Sequence, residues 1–197
     1  MVKHVKTRQY DIKYSKLRSR KWIISVFSDS SLNNVNGRDG PKTDSAMGFA
    51  IFMSEGYRVT ERNKCNLLAW RSCKTTRKVV STHDAETIAL GLALEEAIFI
   101  KDQLVTMMGT GEEDIIIEAF CDNRDAILNI QSNKAMPSSK GRIGAIDVAR
   151  IKEMLRKNQV QSVKWVPTKE QIADVFTKQG APTEPFINIL ERGQFNY

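Results

Sequence analysis

No stretch of this chain approaches the roughly 20 apolar residues that cross a bilayer. The first ten residues, MVKHVKTRQY, also lack the apolar core of a secretory signal. Cysteine is scarce. Cys65, Cys73 and Cys121 form an odd, scattered set without a CxxC pair, which argues against a disulfide framework and for reduced thiols in an intracellular protein. Histidine is scarcer still, and His4 and His83 lie too far apart to read as part of a structural zinc site. With five prolines, eleven glycines and 41% hydrophobic residues, what remains is an ordinary globular composition. At 197 residues it is long enough for one good-sized domain with a real core.

Charge is plentiful and unevenly placed. The net charge is +7, and residues 1–22, with eight Lys/Arg against Asp11 alone, account for all of it. The rest nets to zero but is segregated, with a basic run over 57–80 and an acidic one over 83–118. A basic lead-in beside an acidic cluster suits a protein that grips a polyanion and holds cations next to it; plain solubility charge is the other reading. Residues 1–21 read as a basic connector, extended or carrying one short strand, and 22–197 as the folded domain with a C-terminal helix.

Hydrophobic patterning predicts strands at 22–29, 46–54 and 65–72, joined by connections too short for crossover helices, hence an antiparallel meander. A polar loop is expected at 33–45. A long helix is expected from Ser81 to Gly109, its start marked by Ser81 and Asp84 in a capping arrangement. A fourth strand over 114–121, helices over 123–131 and 142–158, a fifth strand over 160–167 and helices over 169–180 and 182–193 complete an α/β fold with a mixed sheet of five strands.

Four acids are placed distinctively. Asp29 ends the first predicted strand, Asp122 ends the fourth, Glu86 sits in the first turns of the long helix on its Ala85/Ala89 side, and Asp174 lies in the penultimate helix. Each has an ordinary reading: an Asx turn for Asp29, a helix cap for Asp122, a first-turn acid for Glu86, and an ion pair with Lys178 for Asp174. If all four met at one sheet edge they would repel unless cations neutralised them. Hard divalent ions answer that need, and two of them about 4 Å apart support attack of water on a phosphodiester.

The order Asp, Glu, Asp, Asp on these elements resembles a ribonuclease H domain, and more closely that of the Pol polyprotein of copia-type LTR retrotransposons. The resemblance rests on VFSDSSL, LLAWRSCKTTRKVVSTHDAETIAL, CDNRDAI, IDVARIKEML and VKWVPTKEQIADVFTKQGA, and spans residues 10–192. It implies the ribonuclease H-like fold and cleavage of RNA in RNA–DNA hybrids. Asp29, Glu86, Asp122 and Asp174 would be the catalytic ligands of two Mg²⁺ ions, with Mn²⁺ as a substitute. It also implies a reverse transcriptase polymerase domain as partner and a cytoplasmic location within a virus-like particle, or a nuclear one. Ser30, Ser31 and Asn123 are then expected to face the RNA strand, and Lys74, Thr75, Arg77 and Lys78 to hold the DNA strand.

The chain also departs from the family. TKEQ (168–171) offers no imidazole where many cellular ribonucleases H have a loop His, and His83 reads as a cap neighbour. Asp84, two positions from Glu86, is expected to point about 200° away from it. Asp147 is expected to form a salt bridge, and Trp70 and Trp165 to lie in the core. An integrase-like triad of Asp29, Asp84 and Glu118 would put Glu118 on a helix, yet it falls in an apolar strand. A catalytically idle binding module remains the alternative, and no polymerase YxDD sequence is present.

Overall fold

The computed structural model describes residues 11–37, 40–56, 63–75, 79, 81–132 and 142–195. The strands are β1 (Trp22–Gly37), β2 (Gly40–Glu55), β3 (Cys65–Lys74), β4 (Ile115–Cys121) and β5 (Ser162–Trp165). The helices are α1 (Thr82–Met108), α2 (Arg124–Gln131), α3 (Arg142–Arg156), α4 (Asp174–Thr177) and α5 (Glu184–Arg192). The sheet order is β3-β2-β1-β4-β5. The first three strands are antiparallel, and β4 and β5 run parallel to β1. This is an α/β fold, a five-stranded mixed sheet flanked by helices.

Alternation along the strands divides the core between two faces. Ile24, Val26, Ile51 and Ile117 meet Leu90 and Leu94 of α1 and Ile151 of α3 on one face. On the other, Phe27, Phe52 and Phe120 meet Ile172, Ile189 and Phe195, with Phe27 and Phe120 stacked at 4.8 Å. The long helix approaches closely because Ala85, Ala89, Ala93 and Ala97, each at most 2% exposed, form an i, i+4 stripe without bulk. It starts where expected, Ser81 Oγ accepting from Asp84 N at 3.1 Å. It stops at Gly109, whose φ of 62° is the left-handed conformation that glycine adopts freely.

Three expectations are corrected. The polar stretch over 33–45 is not a loop: β1 runs on to Gly37 and β2 begins at Gly40, with register shifts beyond Ser31 absorbing the irregular sequence. The helix expected over 169–180 breaks into a 3₁₀ turn, Thr168–Glu170, and the single turn of α4. It breaks because the Gln171 side chain bonds to β1 and to Ala173 N instead of pointing to solvent. Trp70 and Trp165, expected in the core, are 56% and 40% exposed. Both sit on the outer strands β3 and β5, where only one side of the ring finds cover.

Within the basic lead-in, residues 11–21 form no strand; the part before residue 11 lies outside the described residues. The described part is fastened to the domain, Lys13 N donating to Leu190 O at 2.9 Å. Ser15 N donates to Asn66 Oδ1 at 2.7 Å, and Asn66 Nδ2 to Ser15 O at 2.9 Å.

Candidate active site

Asp29 lies within β1, opposite Gly48 of β2, and is 1% exposed. The strand continues past it, so it forms no turn. Its Oδ2 accepts from the Thr177 hydroxyl, and the Lys178 ammonium stands 3.3 Å from its Oδ1. Asp122 follows β4 but does not cap α2. Asn123 does, its Oδ1 accepting from Ala126 N at 3.0 Å, which leaves the Asp122 carboxylate without a capping role. Glu86, 6% exposed in the first turns of α1, accepts from Ser30 N at 3.2 Å. Asp174 opens α4 and is 2.7 Å from Lys178 Nζ, the i, i+4 pair its spacing suggested.

The four acids converge. Carboxylate oxygens of Asp29, Asp122 and Asp174 lie within 4.8 Å of one another, and Glu86, Cys121 and Asp122 offer ligand atoms equally close together. Asp122 belongs to both groups. The electrostatic consequence is visible in the two most buried members. Burial pushes the Asp29 carboxyl up to about 7, against the Thr177 hydrogen bond and the Lys178 charge, with Asp174 and Asp122 adding repulsion. Burial pushes Glu86 to about 9, helped by the charges of Asp29 and Asp122. Lys178 is held above its ordinary range: burial lowers it, but its hydrogen bond to Asp174 and the charge of Asp29 outweigh that. A dense, partly buried carboxylate cluster has drawn in the nearest cation of its own chain.

The segment carrying Asp174 is positioned by residues whose role the sequence did not announce. Gln171, 5% exposed, donates from Nε2 to the carbonyl of Ser28 at 3.0 Å, next to Asp29. Ala173 is wholly buried against the aromatic cluster. Ser72 Oγ donates to Phe176 O at 2.6 Å and ties α4 to β3. Gly48 makes room: a Cβ there would stand 2.4 Å from Phe176 Cβ and 3.2 Å from Thr177 Cγ2. The signal was the QxADxxTK string, in which the Gln, Ala, Thr and Lys each serve the Asp29–Asp174 juncture.

Other candidates sit as follows. Ser30 is buried against Glu86 and Ser31 is half-buried beside it. Asn123 is committed to capping α2. Lys74 ends β3, and Thr75 N donates to Ser45 O at 2.8 Å. Arg77 and Lys78 lie outside the described residues. Asp84 turns away from the cluster to lie against Gly144 of α3. His83 Nδ1 is 3.2 Å from Thr87 Oγ1. That hydroxyl already donates to the His83 carbonyl, so the Nδ1–H donates to it, while Nε2 accepts from Asn129 Nδ2 of α2 at 2.5 Å; the imidazole links α1 to α2. Glu118 is buried in β4 with Lys164 at 2.6 Å, on a strand as an integrase-like reading would not have it. Trp165, missed as a site neighbour, donates from Nε1 to Asp122 O at 3.0 Å, and the Arg124 guanidinium lies 4.0 Å over its ring.

No family model matches the sequence. Among solved structures, the chain is similar to RNase H1 from the halophilic archaeon Halobacterium salinarum NRC-1, at 17% identity and a TM-score of 0.49, over 79% of this chain and 94% of that one. It is similar to LC11-RNase H1 in complex with RNA/DNA hybrid, at 20% identity and a TM-score of 0.49, over 80% and 94%. It is also similar to the PFV RNase H domain, at 14% identity and a TM-score of 0.47, over 88% and 93%.

Proposed function

We propose that this chain is a ribonuclease H that hydrolyses the RNA strand of RNA–DNA hybrids, with Asp29, Glu86, Asp122 and Asp174 as its catalytic acids. The observation that carries the reading is the meeting of acids from β1, the end of β4 and α4, 145 residues apart in sequence, within one 4.8 Å cluster. Such a cluster is costly to hold together without cations, and all four side chains are hard oxygen donors suited to Mg²⁺ or Mn²⁺. When bound, two such ions supply an activated water and neutralise the charge that builds on the phosphate.

The chain's own groups do the rest. Asp122, common to both ligand groups, joins the two halves of the cluster. Thr177 and Gln171 fix Asp29 in the strand. Lys178 neutralises Asp29 and Asp174 and would swing toward a substrate phosphate once a metal took its place. Ser30, Ser31 and Asn123 would meet the RNA strand, and Lys74 and Thr75 the DNA strand; Arg77 and Lys78, assigned to the DNA strand as well, lie outside the described residues. In its biological setting the domain serves reverse transcription of an LTR retrotransposon, beside a polymerase domain of the same polyprotein, in the cytoplasm within a virus-like particle.

One observation favours a second reading. Lys178 already satisfies two of the acids, as it would in an idle module that binds nucleic acid or a polymerase partner. Cleavage of an end-labelled hybrid under Mg²⁺ titration separates the two. Metal-dependent cutting supports the enzyme, and metal-independent binding without cutting supports the module.

A further inference from the structure

The connector ahead of β1 has a pattern of its own. From Tyr14 to Arg20 exposure alternates: Tyr14, Lys16, Arg18 and Arg20 are exposed while Ser15, Leu17 and Ser19 are half-buried. Residues 11–19 take no regular structure and a bend follows at Arg20 and Lys21; at the spacing of an extended chain, alternate side chains from Tyr14 to Arg18 would stand about 6.6 Å apart. The row is held rigidly from below. Besides the bonds of Lys13 and Ser15, Arg18 N donates to Glu55 Oε2 at 2.8 Å and Lys21 N to Ser19 Oγ at 3.0 Å. The Lys21 ammonium is paired with Asp114. The outward cations are not consumed in this fastening: none of Lys16, Arg18 and Arg20 is ion-paired with a described residue. Tyr14 is 64% exposed at the head of the row, and no ring stacks on it among the described residues.

We propose that Tyr14, Lys16, Arg18 and Arg20 form a docking rail for single-stranded nucleic acid, Tyr14 stacking a base and the three cations following the phosphates. A solvated charged face explains neither the alternation of exposure nor an exposed aromatic ring in line with the cations. A positive track with an aromatic platform is the combination that binds single strands, whose unpaired bases offer a free face. An acidic protein would use the cations but leave Tyr14 without a purpose. The rail precedes β1, its last cation Arg20 nine residues before Asp29, and β1 itself runs about 23 Å from Trp22 to Asp29. It would therefore hold a strand that extends beyond the cleavage site.

The test is fluorescence anisotropy of a labelled oligo(dT), and of a blunt RNA–DNA hybrid of equal length, in EDTA between about 50 and 200 mM salt. Combined Lys16→Ser, Arg18→Ser and Arg20→Ser should flatten the slope of log affinity against log salt for oligo(dT) by about 2, and Lys16→Ser alone by about 0.7. Tyr14→Ala should weaken oligo(dT) about tenfold, with Tyr14→Phe close to the parent. The blunt hybrid should respond less to every change. Melting temperatures should match the parent, since the substituted side chains are exposed, and the single Lys16 variant carries the test if the triple one melts early. An unchanged oligo(dT) slope overturns the proposal. So does a hybrid response as large as that of oligo(dT) with no effect of Tyr14→Ala, or the same charge dependence with poly-glutamate in place of DNA. Binding is read without metal or cleavage, so a chain that failed to cut hybrids would leave this result standing.

Discussion

The Gln171 side-chain amide donates to the carbonyl of Ser28, 143 residues away in sequence, at 3.0 Å, and so fastens the segment that carries Asp174 to the strand that carries Asp29. The bond is buried, and its loss leaves a main-chain acceptor unpaired. Gln171→Ala should therefore cost about 1–3 kcal/mol in denaturant unfolding. It should also raise the Mg²⁺ concentration needed for half-maximal cleavage, because the acids no longer share one frame. Unchanged stability would show that the loop is held by Ala173 and its apolar neighbours alone.

Gly48 makes a sharper case, because its role is spatial. A methyl group there meets Phe176 Cβ at 2.4 Å, closer than carbon atoms pack, so α4 must move off β2 and take Thr177 and Asp174 with it. Gly48→Ala should abolish cleavage while the far-ultraviolet spectrum stays that of a folded chain. Activity within a few-fold of the parent would mean that the acids tolerate this displacement.

These two residues mark where the sequence was legible and where it was not. The strands, the long helix and its Ser81 and Gly109 ends follow from periodicity and capping, which are local. Asp29 and Asp122 could be nominated from their places at strand ends and Glu86 from the first turns of the long helix, while Asp174 read as a residue within a helix, and their company came from the family resemblance. What stayed hidden depends on contacts across the chain. Gly48 reads as an ordinary strand glycine until α4 is seen pressing on it. Gln171 reads as a helix residue until its amide is seen on Ser28. The polar letters of 33–45 suggested a loop, yet the backbone pairing of β1 with β2 carries through them. Trp70 and Trp165 suggested core, because a strand's place at the edge of the sheet is not written in its own residues.

Thr177 donates to Asp29 and so favours its charged form, against the burial that raises it. Thr177→Val removes the hydroxyl with little change of shape. The Asp29 carboxyl should then titrate above its present value of about 7, followed by carboxyl chemical shifts in metal-free protein. At neutral pH protons should compete better for the site, so half-saturation by Mg²⁺ should need more metal. A titration that moves downward would place the hydroxyl elsewhere than on Asp29.

Stability should carry the signature of the acid cluster. Asp29 and Glu86 are raised from ordinary values of 3.8 and 4.5 to about 7 and about 9. The folded state thus binds protons that the unfolded chain releases, and this stabilisation is complete below about pH 4 and lost as the pH climbs through 7 and then 9. Asp114 and Glu153, both lowered to about 2, act in the opposite sense but only at more acidic pH. The metal-free melting temperature should therefore fall between about pH 5 and 9, and Mg²⁺ should raise it more at the alkaline end. A metal-free melting temperature that rises over this range would contradict the convergence of buried acids.

The most direct measurement is cleavage of a labelled RNA–DNA hybrid by the parent chain and by Asp122→Asn, each titrated with Mg²⁺. Asp122 is the acid that both ligand groups share, and the substitution keeps its shape while removing its charge. The assignment of Asp122 requires metal-dependent cutting of the RNA strand by the parent, and loss of at least about a hundredfold in rate for the variant, the scale on which one transition-state electrostatic group acts. Asp122→Asn cutting as fast as the parent, at any metal concentration, would contradict it.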